Sequence, residues 1–143
     1  NILMRINREL LNWLDKQNDL GYLFESSAGF KLPDGSVFSA DAAFVMKQRW
    51  ESLTKSQQEK FAPVCPDFVI EVRSPSDSIQ QLKEKMINWM ANGCRLGWLI
   101  DPIAKKAWIY TQTGLIKSFE NFEGQLDGLD VLPKLNLNLK LLV

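Results

Sequence analysis

The sequence contains no histidine. That absence removes histidine-dependent triads, histidine-ligated zinc sites and histidine general bases together. Cysteine is scarce: Cys65 and Cys94 stand far apart and form no CxxC pattern, which points to a reduced, cytoplasmic chain rather than a disulfide scaffold. Charge of one sign is not in excess. Seventeen Lys and Arg balance seventeen Asp and Glu, so no global field draws the chain to nucleic acid or membrane, and DNA binding would need a local basic patch. No run approaches ~18 apolar residues, so no membrane span is expected. The chain starts at Asn1 without a signal peptide and opens directly inside a helix-like pattern, which points to residues missing upstream.

What is present is the ordinary globular mixture. Apolar residues make up 45% and charged ones 24% of 143 residues, enough for one domain, residues 1–143, with a real core. Ile2, Ile6, Leu10, Trp13 and Leu14 recur at helical spacing and predict an amphipathic helix to about Lys16. Strands follow at Tyr22–Glu25 and Gly29–Leu32, with a tight turn at Pro33-Asp34-Gly35. Val37-Phe38 leads through Ser39-Ala40-Asp41 into a third strand, Ala42–Met46. Residues 47–62 are polar and mixed and read as an insert with one short helix, Thr54 to Lys60. A second amphipathic helix is marked by Ile79, Leu82, Met86, Trp89 and Met90, with Gly93 placed to end it. Leu96–Ile100 and Lys106–Thr111 form an antiparallel pair, and Leu115–Phe119 and the alternating Leu135–Leu139 are further short strands. The order predicts an α+β or α/β domain on one central sheet.

The informative stretch lies between Pro66 and Pro75. Phe68, Val69, Ile70 and Val72 are strand formers, yet the run carries Asp67, Glu71 and Arg73. Charges in a core strand are costly unless paired or coordinating something. Alternation assigns Phe68, Ile70 and Val72 to a packed face, and Asp67, Val69, Glu71 and Arg73 to a polar one. If the Asp41 and Glu71 strands are antiparallel neighbours, the two acids meet at one sheet edge, where they repel and attract a shared hard cation such as Mg²⁺ or Mn²⁺. Asp67 lies about 13 Å further along the strand and does not easily share that ion.

A metal-dependent hydrolase also needs a cationic side chain. The simplest place is two residues after the acid, on the same face. That position holds Arg73, which binds phosphate but is a poor general base. The following helix offers Lys83 and Lys85, each within about 40° of an apolar position, and periodicity does not choose between them. Ordinary readings compete at every position: acids at strand ends are often only solvated, Glu71 and Arg73 can be a surface ion pair, and lysines at helix margins snorkel.

Taken together, Ser39-Ala40-Asp41-Ala42-Ala43-Phe44-Val45, Cys65-Pro66-Asp67 through Val72, Ser74-Pro75-Ser76, Leu82 through Lys85-Met86 to Trp89, Gly93, and Trp98-Leu99-Ile100-Asp101-Pro102 resemble the Uma family of candidate endonucleases. That family belongs to the PD-(D/E)XK nuclease superfamily, with its restriction-endonuclease-like fold. The match runs from the first helix to about Tyr110. It implies a central mixed sheet flanked by helices, in the core order α-β-β-β-α-β-β. It implies Asp41 and Glu71 as the acids of the two half-motifs, holding Mg²⁺ or Mn²⁺ with the backbone of Val72. Ala40 stands where the family usually has proline, which loses a rigid turn but no ligand. The superfamily lysine would stand at position 73, whereas this family's pattern places it four residues before an aromatic, which selects Lys85 ahead of Trp89. Asp67, Arg73 and Lys83 are left as auxiliary candidates, Asp67 more as a structural acid than a ligand.

The implied activity is metal-assisted hydrolysis of phosphodiester bonds in DNA, with duplex cleavage favouring a homodimer. A different class is a nuclease-fold module that no longer cuts and only binds DNA or assembles, for which Lys31, Lys47, Arg49, Arg73, Lys83, Lys85, Lys105 and Lys106 would supply a patch. A third is a structural homo-oligomer joined through Trp50, Trp108 or the leucine tail, although core burial suits each of these better.

Overall fold

Asn1 begins the first helix in the computed structural model, which describes residues 1–143. Its side-chain oxygen accepts from the N–H groups of Leu3 and Met4 and caps α1, Ile2–Asp15. Ile6, Leu10 and Trp13 form the buried stripe of this helix, and the Trp13 indole N–H donates to the carbonyl of Pro133 at 2.8 Å. The chain then lays down β1 (Gly21–Glu25), β2 (Gly29–Lys31), β3 (Val37–Ser39) and β4 (Ala42–Met46). The run from Val37 to Met46 is two strands rather than one. β2 and β3 pair only with each other, whereas β4 pairs with β1 in the main sheet.

The insert holds two helices instead of one. α2 (Lys47–Glu51) follows β4 directly, and α3 (Lys55–Glu59) is capped by Thr54 through a reciprocal bond with Gln57. Next come β5 (Phe68–Val72), α4 (Ile79–Ala91), β6 (Leu96–Asp101), β7 (Lys106–Thr111) and β8 (Gly114–Phe119). The tail adds a small pair, β9 (Gln125–Asp127) with β10 (Asn136–Asn138), and a 3-10 turn at Leu139–Leu142. The Leu135–Leu139 alternation turns its leucines inward, and Leu135, Leu137 and Leu139 are buried. β9 has no counterpart in the sequence reading, because three residues between glycines carry too little pattern.

The main sheet runs β1-β4-β5-β6-β7-β8. Only β5 and β6 are parallel, joined by the crossover through α4, so the sheet is mixed. The expectation of one packed and one polar face on β5 is corrected here. Phe68 and Ile70 face a cluster with Ile6, Leu10 and Trp98, while Val69 faces a second cluster with Met86, Trp89 and Leu99. Helices and hairpins cover both sides, which is why β5 reads as a near-continuous apolar run. Asp67 and Glu71 are therefore buried acids, 3% and 4% exposed.

α4 is held closely against the sheet. Ser78 caps its start by accepting from the N–H of Gln81. At its end Gly93, at φ +109°, lets its own N–H reach the Met90 carbonyl and that of Cys94 reach the Trp89 carbonyl. Gly97 on β6 lies beneath the helix, where a β-carbon would come within 2.4 Å of Met86 Cε. No helix is long and apolar enough to cross a membrane.

Candidate active site

The antiparallel register of β4 and β5 pairs Ala42 with Ile70, which carries Asp41 to the level of Glu71 at one end of the sheet. Asp41 Oδ2 accepts from the N–H of Val72 at 2.6 Å, tying the two strand ends together. Glu71 Oε2 accepts from two groups of α4: Lys85 Nζ at 2.9 Å and the Trp89 indole N–H at 3.0 Å. Lys85 and Trp89 are four apart, so one helix face grips one carboxylate oxygen. Lys85 Nζ also donates to the Ser39 carbonyl at 2.7 Å, which fixes it between the sheet and the β2–β3 hairpin.

Asp41, Glu71, Val72, Ser39 and Lys85 line a cleft of about 290 Å³ that also meets Ser26, Ser74 and Asp77. Asp41 Oδ1 and Glu71 Oε1 accept no hydrogen bond from the protein, and the Asp41 and Glu71 carboxylates both line this cleft. Burial pushes the Glu71 carboxyl above its usual range; the Lys85 charge and the bonds from Lys85 and Trp89 pull it down, and the Asp41 charge adds to the rise. The ammonium does not fully offset the desolvation. Hydrogen bonds from Ser74 hold the Asp77 carboxyl below its usual range, so it stays ionised beside the site.

The donor set suits a hard cation. No three side chains of the His, Cys, Asp and Glu class converge. Two carboxylates plus a backbone carbonyl leave positions for water and substrate oxygen, as Mg²⁺ prefers. Asp41 and Glu71 line one cleft and each keeps one carboxylate oxygen without a protein hydrogen bond, which is the observation a divalent ion would fit.

The other sequence candidates lie elsewhere. Asp67, at the opposite end of β5, accepts from the Met46 N–H at 2.8 Å and forms ion pairs with Arg49 at 2.9 Å and Arg95 at 3.2 Å. Arg73 pairs with Asp101 at 3.0 Å and is not among the residues lining the cleft. Lys83 sits over the Trp108 ring, 4.6 Å from its centroid. Sequence reasoning missed the second role of Trp89, the Ser39 carbonyl and Asp77. A signal for Trp89 exists: a buried indole N–H requires an acceptor, and Trp89 stands four residues after Lys85, on the same helix face.

In chelator, Glu71→Gln is expected to stabilise the fold at neutral pH. The carboxyl has a higher pKa folded than unfolded, so its ionisation opposes folding. That penalty is absent below the unfolded value, grows as pH rises through the folded one, and is complete above it. Glutamine carries no such penalty, and Lys85, partly exposed, can turn to water. Urea midpoints across pH check this: the gain should be largest at neutral pH and vanish in acid, and a midpoint at or below wild type at neutral pH contradicts it.

A family model, Uma2, described as "Putative restriction endonuclease", matches residues 1–140. Among solved structures, one from Anabaena variabilis, described as "a putative nuclease belonging to DUF820", superposes with a TM-score of 0.82. It is 18% identical, and the match covers 99% of this chain and 77% of that one. At that identity the likeness carries the fold. No curated protein matches.

Proposed function

The chain belongs to the Uma2 family, and from that premise we propose that it is a nuclease that hydrolyses phosphodiester bonds in DNA with a divalent ion, through Asp41, Glu71 and Lys85. The observation that carries the reading is the placement of Lys85 Nζ 2.9 Å from Glu71 Oε2 in the cleft shared with Asp41, while Arg73, two residues after the acid, is engaged with Asp101. Asp41, Glu71 and the backbone of Val72 would hold Mg²⁺ or Mn²⁺. The ion, when bound, supplies a lowered pKa for its water and charge neutralisation on the phosphate.

The chain's own residues do the rest. The Val72 N–H takes one oxygen of Asp41, and the Trp89 indole takes one of Glu71, so each acid keeps its other oxygen free of protein donors. Trp89 is in this sense a positioning residue. Lys85 holds its side-chain nitrogen between Glu71 and the Ser39 carbonyl, where it can orient an attacking water and neutralise charge developing on phosphate oxygen. With one site per chain, cutting both strands of a duplex takes two copies, which favours a homodimer. Cys65 and Cys94 are both free, buried thiols, which suits a reducing, cytoplasmic setting.

The alternative, an inactive module that only binds DNA, needs several free cations. Lys47, Arg49, Arg73, Lys85 and Lys106, five of the eight basic candidates, are each paired with a carboxylate. That pairing argues against a surface built for affinity alone. The test is incubation with duplex and single-stranded DNA in Mg²⁺ or Mn²⁺, with and without chelator. Cleavage is expected only with the ion, and Asp41→Ala protein that still cuts at the wild-type rate overturns the reading.

A further inference from the structure

A second cleft, about 560 Å³, opens beside the first and is aromatic where the first is polar. Phe24 and Trp50 form one wall, with ring centroids 4.7 Å apart. Trp50 is steadied by Gln58, whose side-chain amide donates to its carbonyl at 3.0 Å. At the mouth stands Phe61, the most exposed aromatic residue of the chain at 63%. Its ring is not loose. It lies against Gly29, where a β-carbon would come within 2.8 Å of Phe61 Cδ1. The backbone at Gly29 thus supports one part of the ring, and the remainder is offered to solvent, with Lys60 on the rim.

The two clefts are neighbours on one side of the sheet. Phe24, Ala28 and Trp50 pack on the same apolar cluster as Leu82 and Trp89 of α4. Ser26 lines the acidic cleft and Ser27 the aromatic one. Gly29, against which Phe61 lies, pairs with Ser39, and the Ser39 carbonyl accepts from Lys85 Nζ, so the β2–β3 hairpin links the two clefts.

We infer that the aromatic cleft seats an unstacked nucleobase of the strand whose phosphate lies at the acidic cleft. The inference rests on the nuclease reading and narrows it to single-stranded or locally opened nucleic acid. A base paired within a duplex keeps both faces stacked and cannot enter between protein aromatics without leaving the helix. Every base has a π-face, so such a seat is tolerant of sequence.

The test measures binding of a short fluorescein-labelled DNA strand, and of its duplex, by anisotropy in chelator, so that nothing is cut. Wild type is expected to prefer the single strand. Phe61→Leu keeps an apolar contact on Gly29 but has no stacking face; it is expected to weaken single-strand binding about ten- to a hundredfold and to leave the duplex unaffected. Phe61→Trp is expected to retain it. If Phe61→Leu binds the single strand as wild type does, or loses both forms equally, the base seat is overturned while a metal-dependent cut by wild type keeps the nuclease reading. Wild type that neither binds nor cuts either form overturns both.

Discussion

Lys85→Met is expected to slow metal-dependent DNA cleavage by about 10²- to 10⁴-fold, the range for removing a positioned proton-transfer or charge-stabilising group. The size follows from where the ammonium lies. It is held by Glu71 Oε2 and the Ser39 carbonyl, in a cleft shared with the carboxylate of Asp41. Methionine matches the length of the stem and removes only the charge and the donors. Lys83→Met should cut at close to the wild-type rate, because Lys83 lies over the Trp108 ring. Lys85→Arg separates two roles. Arginine keeps the charge but does not deprotonate, so partial activity assigns Lys85 to charge stabilisation, and none assigns it to handling the water's proton. Adding Arg73→Lys to Lys85→Met should not rescue, since side chain 73 is drawn to Asp101. Initial rates at saturating Mg²⁺ decide the matter, and a Lys85→Met rate within a few-fold of wild type removes Lys85 from the site.

Why Lys85 and not Lys83 is a question that periodicity alone leaves open. The two lysines flank the same apolar stripe of α4, at opposite margins, and a helix considered alone treats them alike. The sheet breaks the symmetry. α4 lies over β6 at Gly97, with β5 on one side of that strand and β7 on the other. One margin therefore meets Glu71 of β5, and the other meets Trp108 of β7. Strand order is a long-range property, and local pattern does not carry it. The same limit explains the polar face expected on β5. Alternation gives the two sides correctly, but which sides are covered depends on α4 and the β2–β3 hairpin arriving from elsewhere in the chain. What was local was legible. The stop at Gly93, the stripe of α1, and the Thr54 start of α3 all follow from residues within a turn of each other. The level pairing of Asp41 with Glu71 needed only that two strands be antiparallel neighbours, and they are.

Asp67→Ala should cost about 2–5 kcal/mol of folding stability and leave the chemistry of the folded protein intact. Asp67 stitches three strands at the end of the sheet remote from the candidate site. Its N–H donates to Phe44 on β4, and its carbonyl accepts from Arg95 and Leu96 at the start of β6. Its side chain takes the Met46 N–H and the guanidiniums of Arg49 and Arg95. Alanine leaves the backbone bonds but orphans the Met46 N–H, a loss of about 1–3 kcal/mol. It also strands two guanidiniums beside a buried gap, where removing one partner of a buried ion pair costs about 3–5 kcal/mol. Both arginine side chains are 42% exposed and can turn to water, which brings that second contribution toward the low values of surface pairs. Against a typical reserve of about 5–15 kcal/mol the variant folds but melts early. Asp67→Asn, which can still accept from Met46, should fall between the two. Urea midpoints give the stability, and cleavage at a temperature where Asp67→Ala is folded gives the activity. A folded Asp67→Ala protein that has lost cleavage would move Asp67 from the scaffold into the catalytic machinery, against the roughly 13 Å of strand that separates it from Glu71.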